Sequence, residues 1–190
     1  MSNILELFDK INPLSFLNEN EPGGLNEIIL CNQINPEADF AIIALGQDTD
    51  PIRKEFYNLK KHNNTLKIID LGNLKQGQTP KDTYFALGEV CAFLLRHKII
   101  PIILGGDNDN AIGMYKGYEQ IGQIINIANI DSRIDLKELT LDADKNNYLA
   151  HIFCSDPNYL FNYTHLCYQS YFVETDTLKL LQDIRFETYR

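Results

Sequence analysis

Residues 99–109, Ile99-Ile100-Pro101-Ile102-Ile103-Leu104-Gly105-Gly106-Asp107-Asn108-Asp109, and residues 124–135, Ile124-Ile125-Asn126-Ile127-Ala128-Asn129-Ile130-Asp131-Ser132-Arg133-Ile134-Asp135, are built alike. Each is a short apolar run that stops at an acidic turn. Such runs suit strands buried on both faces, as in parallel sheets. Pro101 sits near the start of its run, where a missing donor is tolerated. Residues 111–119, between the two runs, read as a helix. Strand, helix and strand in that order imply a right-handed crossover and parallel pairing. Both acidic turns then fall at the carboxyl edge of a sheet, where ligand crevices form in open α/β folds.

The same alternation extends towards the amino terminus. Residues 40–46 and 66–72 read as buried strands, each closed by a glycine. Residues 51–61 read as a helix with Ile52, Phe56 and Leu59 on one face. Thr79-Pro80-Lys81-Asp82 has a capping threonine, a proline at the first helical position and an acid in the first turn. The helix it starts carries Tyr84, Leu87, Cys91, Leu94 and Leu95 in one stripe and ends near His97-Lys98. Residues 1–36 have weak periodicity, with turns at Asn12-Pro13, Pro22-Gly23-Gly24 and Asn35-Pro36. A mixed aromatic run covers residues 159–172, and a helix follows over about 175–186. The expectation is an α/β fold, three-layer α/β/α with a mostly parallel sheet, in one domain over residues 1–190. No terminating signal precedes Tyr189-Arg190, as expected of the amino-terminal portion of a longer fold. A sheet cut in this way exposes strand edges, so self-association into a homo-oligomer is expected.

Composition narrows the partners. Of 190 residues, 44% are apolar and 23% charged, the mix of a globular chain. Seventeen basic residues against 26 acidic ones give a formal charge of −9, which repels phosphate backbones and anionic membranes. Nucleic acid and membrane are therefore not expected as partners. Met1-Ser2-Asn3-Ile4-Leu5-Glu6 lacks the basic flank of a signal peptide, and no run reaches the roughly 18 apolar residues that span a bilayer. Cys31, Cys91, Cys154 and Cys167 lie far apart and read as reduced thiols, which points to the cytoplasm. With no Cys-x-x-Cys pair and with His62, His97, His151 and His165 scattered, a zinc site is not expected.

If the two turns share an edge, Asp107, Asp109, Asp131 and Asp135 come near one another, and Gly105 and Gly106 allow close backbone approach to whatever occupies the crevice. Clustered carboxylates need a compensating cation, such as a hard divalent ion with oxygen ligands. The plainer alternative has one or two of these acids capping helices while the rest are solvated. Other signals are weaker. Asp142-x-Asp144-x-Asn146 starts like a calcium loop but has Asn147 and Phe153 where glycine and glutamate belong. Phe161, Tyr163, Tyr168, Tyr171 and Phe172 suit packing better than ligand stacking, and His165 beside them reads as a satisfied histidine. No nucleophile elbow or dinucleotide fingerprint is present.

Gly105-Gly106-Asp107-Asn108-Asp109 resembles the Gly-Gly-Asp-His-Ser turn of arginases, agmatinases and formimidoylglutamases, the ureohydrolase family. Asp131-Ser132-Arg133-Ile134-Asp135 resembles its Asp-Ala-His-x-Asp turn. Asp50-Pro51-Ile52-Arg53 is similar to the family's Pro-x-x-Ile-Arg helix start. The resemblance covers roughly residues 36–136 and keeps the order and spacing of these parts. It implies an arginase-like fold and a pair of manganese ions bridged by a hydroxide that attacks a guanidino or formimino carbon.

Residue by residue, the resemblance puts Asp131 and Asp135 at carboxylate ligand positions. Asn108 stands where the first histidine would be, and an amide is a poor manganese ligand beside imidazole. Arg133 stands at the second histidine, and its guanidinium has no lone pair to donate. A later acidic pair of the family would lie beyond residue 190. Arg133 can pair with Asp131, Asp135 or Asp107 and so replace the ion's charge, or it can swing out to solvent. Three readings follow: a non-catalytic or regulatory homologue with no resident metal, part of an active manganese-dependent hydrolase of linear amidines, or a structural magnesium- or calcium-binding module. The expected ligand is a small amidine or an amino-acid-like molecule.

Overall fold

The computed structural model describes residues 4–17, 23–46, 48–62, 65–140 and 146–190. Asp142-x-Asp144 and Pro22 lie outside the described residues. The chain divides into two compact units, residues 1–107 and 108–190.

The first unit holds β1 (Phe8–Asp9), β2 (Ile29–Cys31), β3 (Phe40–Leu45), α1 (Asp50–Asn58), β4 (Ile68–Leu74), α2 (Pro80–Arg96) and β5 (Ile100–Gly105). Its sheet runs β1-β4-β3-β5, with β2 also on β4. β3 pairs in parallel with β4 and β5, and β2 in parallel with β4, whereas β1 is antiparallel. The buried residues 41–45 of β3 explain its uninterrupted apolar sequence, since a central parallel strand has no solvent face. α2 begins at the expected Thr79 cap, and the cap is a capping box in which the Thr79 and Asp82 side chains each accept from the other's backbone N–H. Its stripe of Tyr84, Leu87, Cys91 and Leu94 is buried.

α1 buries a different face from the one its apolar residues suggest. Ile52 and Leu59 are 47% and 54% exposed, while Arg53 and Tyr57 are 0% and 1% exposed. Burial of Arg53 is made tolerable by Asp70 on β4. Arg53 Nε donates to Asp70 Oδ2 at 2.8 Å and Nη2 to Oδ1 at 3.2 Å, while Nη1 donates to Asn73 Oδ1 at 2.7 Å. The Tyr57 hydroxyl adds a donor to Asp70 Oδ2 at 3.1 Å, and the Gly72 N–H one to Oδ1 at 2.9 Å. A buried ion pair survives when its remaining valences are filled in this way.

The second unit holds α3 (Ala111–Gln120), β6 (Ile125–Ile130), α4 (Tyr148–Phe153), β7 (Leu160–Leu166), α5 (Thr175–Asp183) and β8 (Glu187–Tyr189). Its parallel sheet has the order β6-β7-β8. β7 lies inside the aromatic run, where Tyr163 and His165 alternate inwards, both 0% exposed. Each unit is α/β with mostly parallel pairing. Among the described residues no helix is long and apolar enough to cross a membrane.

Candidate functional site

The boundary between the units falls within the first acidic turn. Gly105, Gly106 and Asp107 belong to the first unit, and Asn108, Asp109, Asp131, Arg133 and Asp135 to the second. Gly105 has φ +74°, and a Cβ built on it would lie 2.7 Å from the Leu45 carbonyl oxygen and 2.7 Å from Thr49 Cγ2. The close approach for which this glycine is needed is thus to the end of β3.

Within the second unit, the turn after β6 is held by its own backbone. Asp131 Oδ1 accepts from the Arg133 N–H at 3.0 Å and from Ser132 Oγ at 3.3 Å. The Ser132 carbonyl accepts from the Gln169 N–H at 2.9 Å, and the Asp135 carbonyl from the Leu149 N–H at 3.4 Å. These bonds fix the two carboxylates with Asn108 between them. Asn108 Nδ2 donates to Asp131 Oδ2 at 3.1 Å and to Asp135 Oδ2 at 3.0 Å. One neutral amide group therefore bridges the two acids, spending one N–H on each. Asp109 accepts from Asn110 Nδ2 at 3.4 Å.

Arg133 departs from the charge-compensating role that its place among the acids suggests. Its guanidinium carbon lies 4.3 Å from the centre of the Phe172 ring, and it makes no ion pair among the described residues. The turn uses the Arg133 backbone N–H to bond Asp131, while the guanidinium lies over the aromatic ring.

Behind the turn lies a buried polar chain that motif reading does not find. His165 Nε2 sits 2.9 Å from the Asp131 carbonyl oxygen, which only accepts, so Nε2 carries the proton. In the neutral ring, Nδ1 then accepts from the Tyr163 hydroxyl at 2.8 Å. Asn129 Nδ2 donates to the Tyr148 oxygen at 3.2 Å and to the Tyr163 oxygen at 3.4 Å. Burial pushes the Tyr148 and Tyr163 phenols far above their ordinary range, and the charges of Asp131 and Asp135 push the same way. Both remain protonated. The one available sequence signal was the two-residue spacing of Tyr163 and His165.

The two positions that the resemblance gives to histidine ligands carry other chemistry here. An amide presents N–H groups to the carboxylates at one ligand position, and a guanidinium stacked on a ring stands at the other. Among the described residues, no three or more histidine, cysteine, aspartate or glutamate side chains are placed to hold an ion.

A family model described as Arginase family matches residues 32–173. None of the curated proteins compared matches this chain. Among solved structures, the chain is similar to a formimidoylglutamase from Bacillus subtilis, with a TM-score of 0.71 and 13% identity over 90% of this chain and 61% of that one. It is also similar to a Trypanosoma cruzi formiminoglutamase with two Mn2+ ions (TM-score 0.68, 17% identity, 95% and 65% covered), which was also solved with Mn2+ as a variant changing an asparagine to histidine. A third is a T. brucei arginase-like protein, a quadruple mutant with three serines changed to aspartate and one arginine to histidine (TM-score 0.61, 13% identity, 98% and 61% covered). The chain thus spans about three fifths of the length of the solved relatives it matches.

Proposed function

From the premise that this chain belongs to the arginase family, we propose that it is a member without the two-manganese hydrolytic centre, serving as a binding or regulatory homologue. The observation that carries this reading is the Asn108 amide shared between Asp131 and Asp135. An N–H pair neutralises part of the repulsion between two carboxylates without the lone pair that an ion needs. Arg133 adds to the case, because a permanent cation at the neighbouring ligand position opposes a second ion electrostatically. The T. brucei relative offers a parallel in type. Its mutations place histidine for arginine between two new aspartates at alternate positions, the pattern in which Arg133 stands between Asp131 and Asp135.

The competing reading, part of an active manganese-dependent hydrolase of linear amidines, draws on the T. cruzi relative. That protein was solved with two Mn2+ ions both with an asparagine and with histidine in its place, the exchange that sets Asn108 apart from the family's first turn. Incubation of the chain with formimidoylglutamate, agmatine and arginine, with and without manganese, separates the two. The expected result is no release of ammonia, formamide or urea and sub-stoichiometric manganese after dialysis. Turnover of any of the three defeats the non-catalytic reading. A manganese-, magnesium- or calcium-dependent rise in melting temperature without turnover favours a structural ion.

A further inference from the structure

The turn after β6 and the start of α5 border a cavity of about 410 Å³ inside the second unit, lined in part by Arg133, Lys137, Phe172 and Glu174. Phe172 holds the Arg133 guanidinium against its face at 4.3 Å. A stacked guanidinium keeps its N–H donors free in its own plane. Neither the Arg133 guanidinium nor the Lys137 ammonium has an acceptor among the described residues. Of the three acids among the described lining residues, two are engaged. Asp135 takes the Asn108 amide at 3.0 Å, and Asp176 takes Lys179 Nζ at 3.3 Å. Among the described residues, two cations without an acceptor, Arg133 and Lys137, and one acid without a donor, Glu174, therefore line a space large enough for a small organic molecule.

We propose that this cavity binds a small carboxylate, held in two parallel bonds by the Arg133 fork and steadied by the charge of Lys137. The proposal rests on the non-catalytic reading above, because it gives the Arg133 turn an organic anion to hold. Phe172 is the positioning residue, since it fixes the plane of the guanidinium before any ligand arrives.

Isothermal titration of the full chain in manganese-free buffer tests it, with succinate, glutarate and benzoate as probes and butylammonium as the cationic control. The expected result is saturable 1:1 binding of at least one carboxylate, weaker at raised salt, with none for butylammonium. Arg133→Ala weakens it by about tenfold or more, as loss of a charge-assisted bidentate contact does. Arg133→Lys, which keeps the charge and loses the fork, restores only part of it. Unchanged melting curves show that these exposed-site variants are folded. No saturable binding of any carboxylate by the wild type, or equal binding by Arg133→Ala, overturns the proposal. Turnover with manganese would defeat the non-catalytic reading and leave an Arg133-dependent affinity in metal-free buffer standing, so the two failures are distinct.

Discussion

His165 Nε2 donates to the carbonyl oxygen of Asp131 at 2.9 Å, with the imidazole fully buried. This bond ties the end of β6 to β7 just where the acidic turn begins. Replacing the ring by an apolar one leaves the Asp131 carbonyl and the Tyr163 hydroxyl without that partner inside the protein. His165→Phe is expected to cost about 2 kcal/mol, the penalty for buried polar groups left unsatisfied. Urea unfolding followed by circular dichroism measures it, and a loss below roughly 0.5 kcal/mol contradicts the network's role.

Asn108 keeps two carboxylates apart with one amide. Asn108→Asp puts a third negative charge against Asp131 and Asp135, so the melting temperature at pH 7 is expected to fall. Millimolar magnesium or manganese, absent an effect on the wild type, should restore it by occupying the new three-carboxylate cluster. A variant as stable as the wild type and indifferent to divalent ions would show that the amide bridge is incidental.

Arg53 and Asp70 form a pair in which neither side chain is exposed. Removing one partner strands the other's charge, so Arg53→Met is expected to destabilise the chain by about 3–5 kcal/mol. The double variant Arg53→Met with Asp70→Leu should recover much of that loss, because no lone charge remains buried. Denaturant midpoints of Arg53→Met, of Asp70→Leu and of the double variant form the test, and additive losses would count against the pairing.

Burial pushes the Cys91 thiol up to about 12 from its ordinary 9.0. A raised folded-state value means that the native state holds its proton more tightly than the unfolded chain. The resulting stability is fully present below pH 9 and is lost as the pH climbs towards 12. The buried Tyr57, Tyr148 and Tyr163 phenols are displaced in the same direction. Melting temperature should therefore decline above about pH 9. At pH 8, a thiol reagent should label the exposed Cys167 quickly and Cys91 only under denaturant.

Elements whose signals are local were legible in the sequence. The apolar run of β3, the Thr79 cap with Pro80 and the stripe of α2 each lie within a single element. α1 was misjudged on its face, because reading by polarity sends Arg53 to solvent. Only its partner on β4, seventeen residues away, makes its burial possible. β7 was hidden because a histidine and a threonine interrupt its apolar alternation, although both inward positions, Tyr163 and His165, are satisfied polar groups. In the site, the places of Asp131, Asp135 and Asn108 in the turns could be read, but not the shared amide. The partner of Arg133 lies beyond β7, at Phe172, and no spacing rule links the two.

Gly105 carries a lesson for reading ancestry. With a left-handed backbone and the Leu45 carbonyl 2.7 Å from any added methyl group, this position resists mutation for steric reasons alone. A lineage that abandoned its chemistry would still inherit the glycine, because drift there breaks the chain's folding before it touches a reaction. The signature by which such relatives are traced can thus outlive the activity it came with.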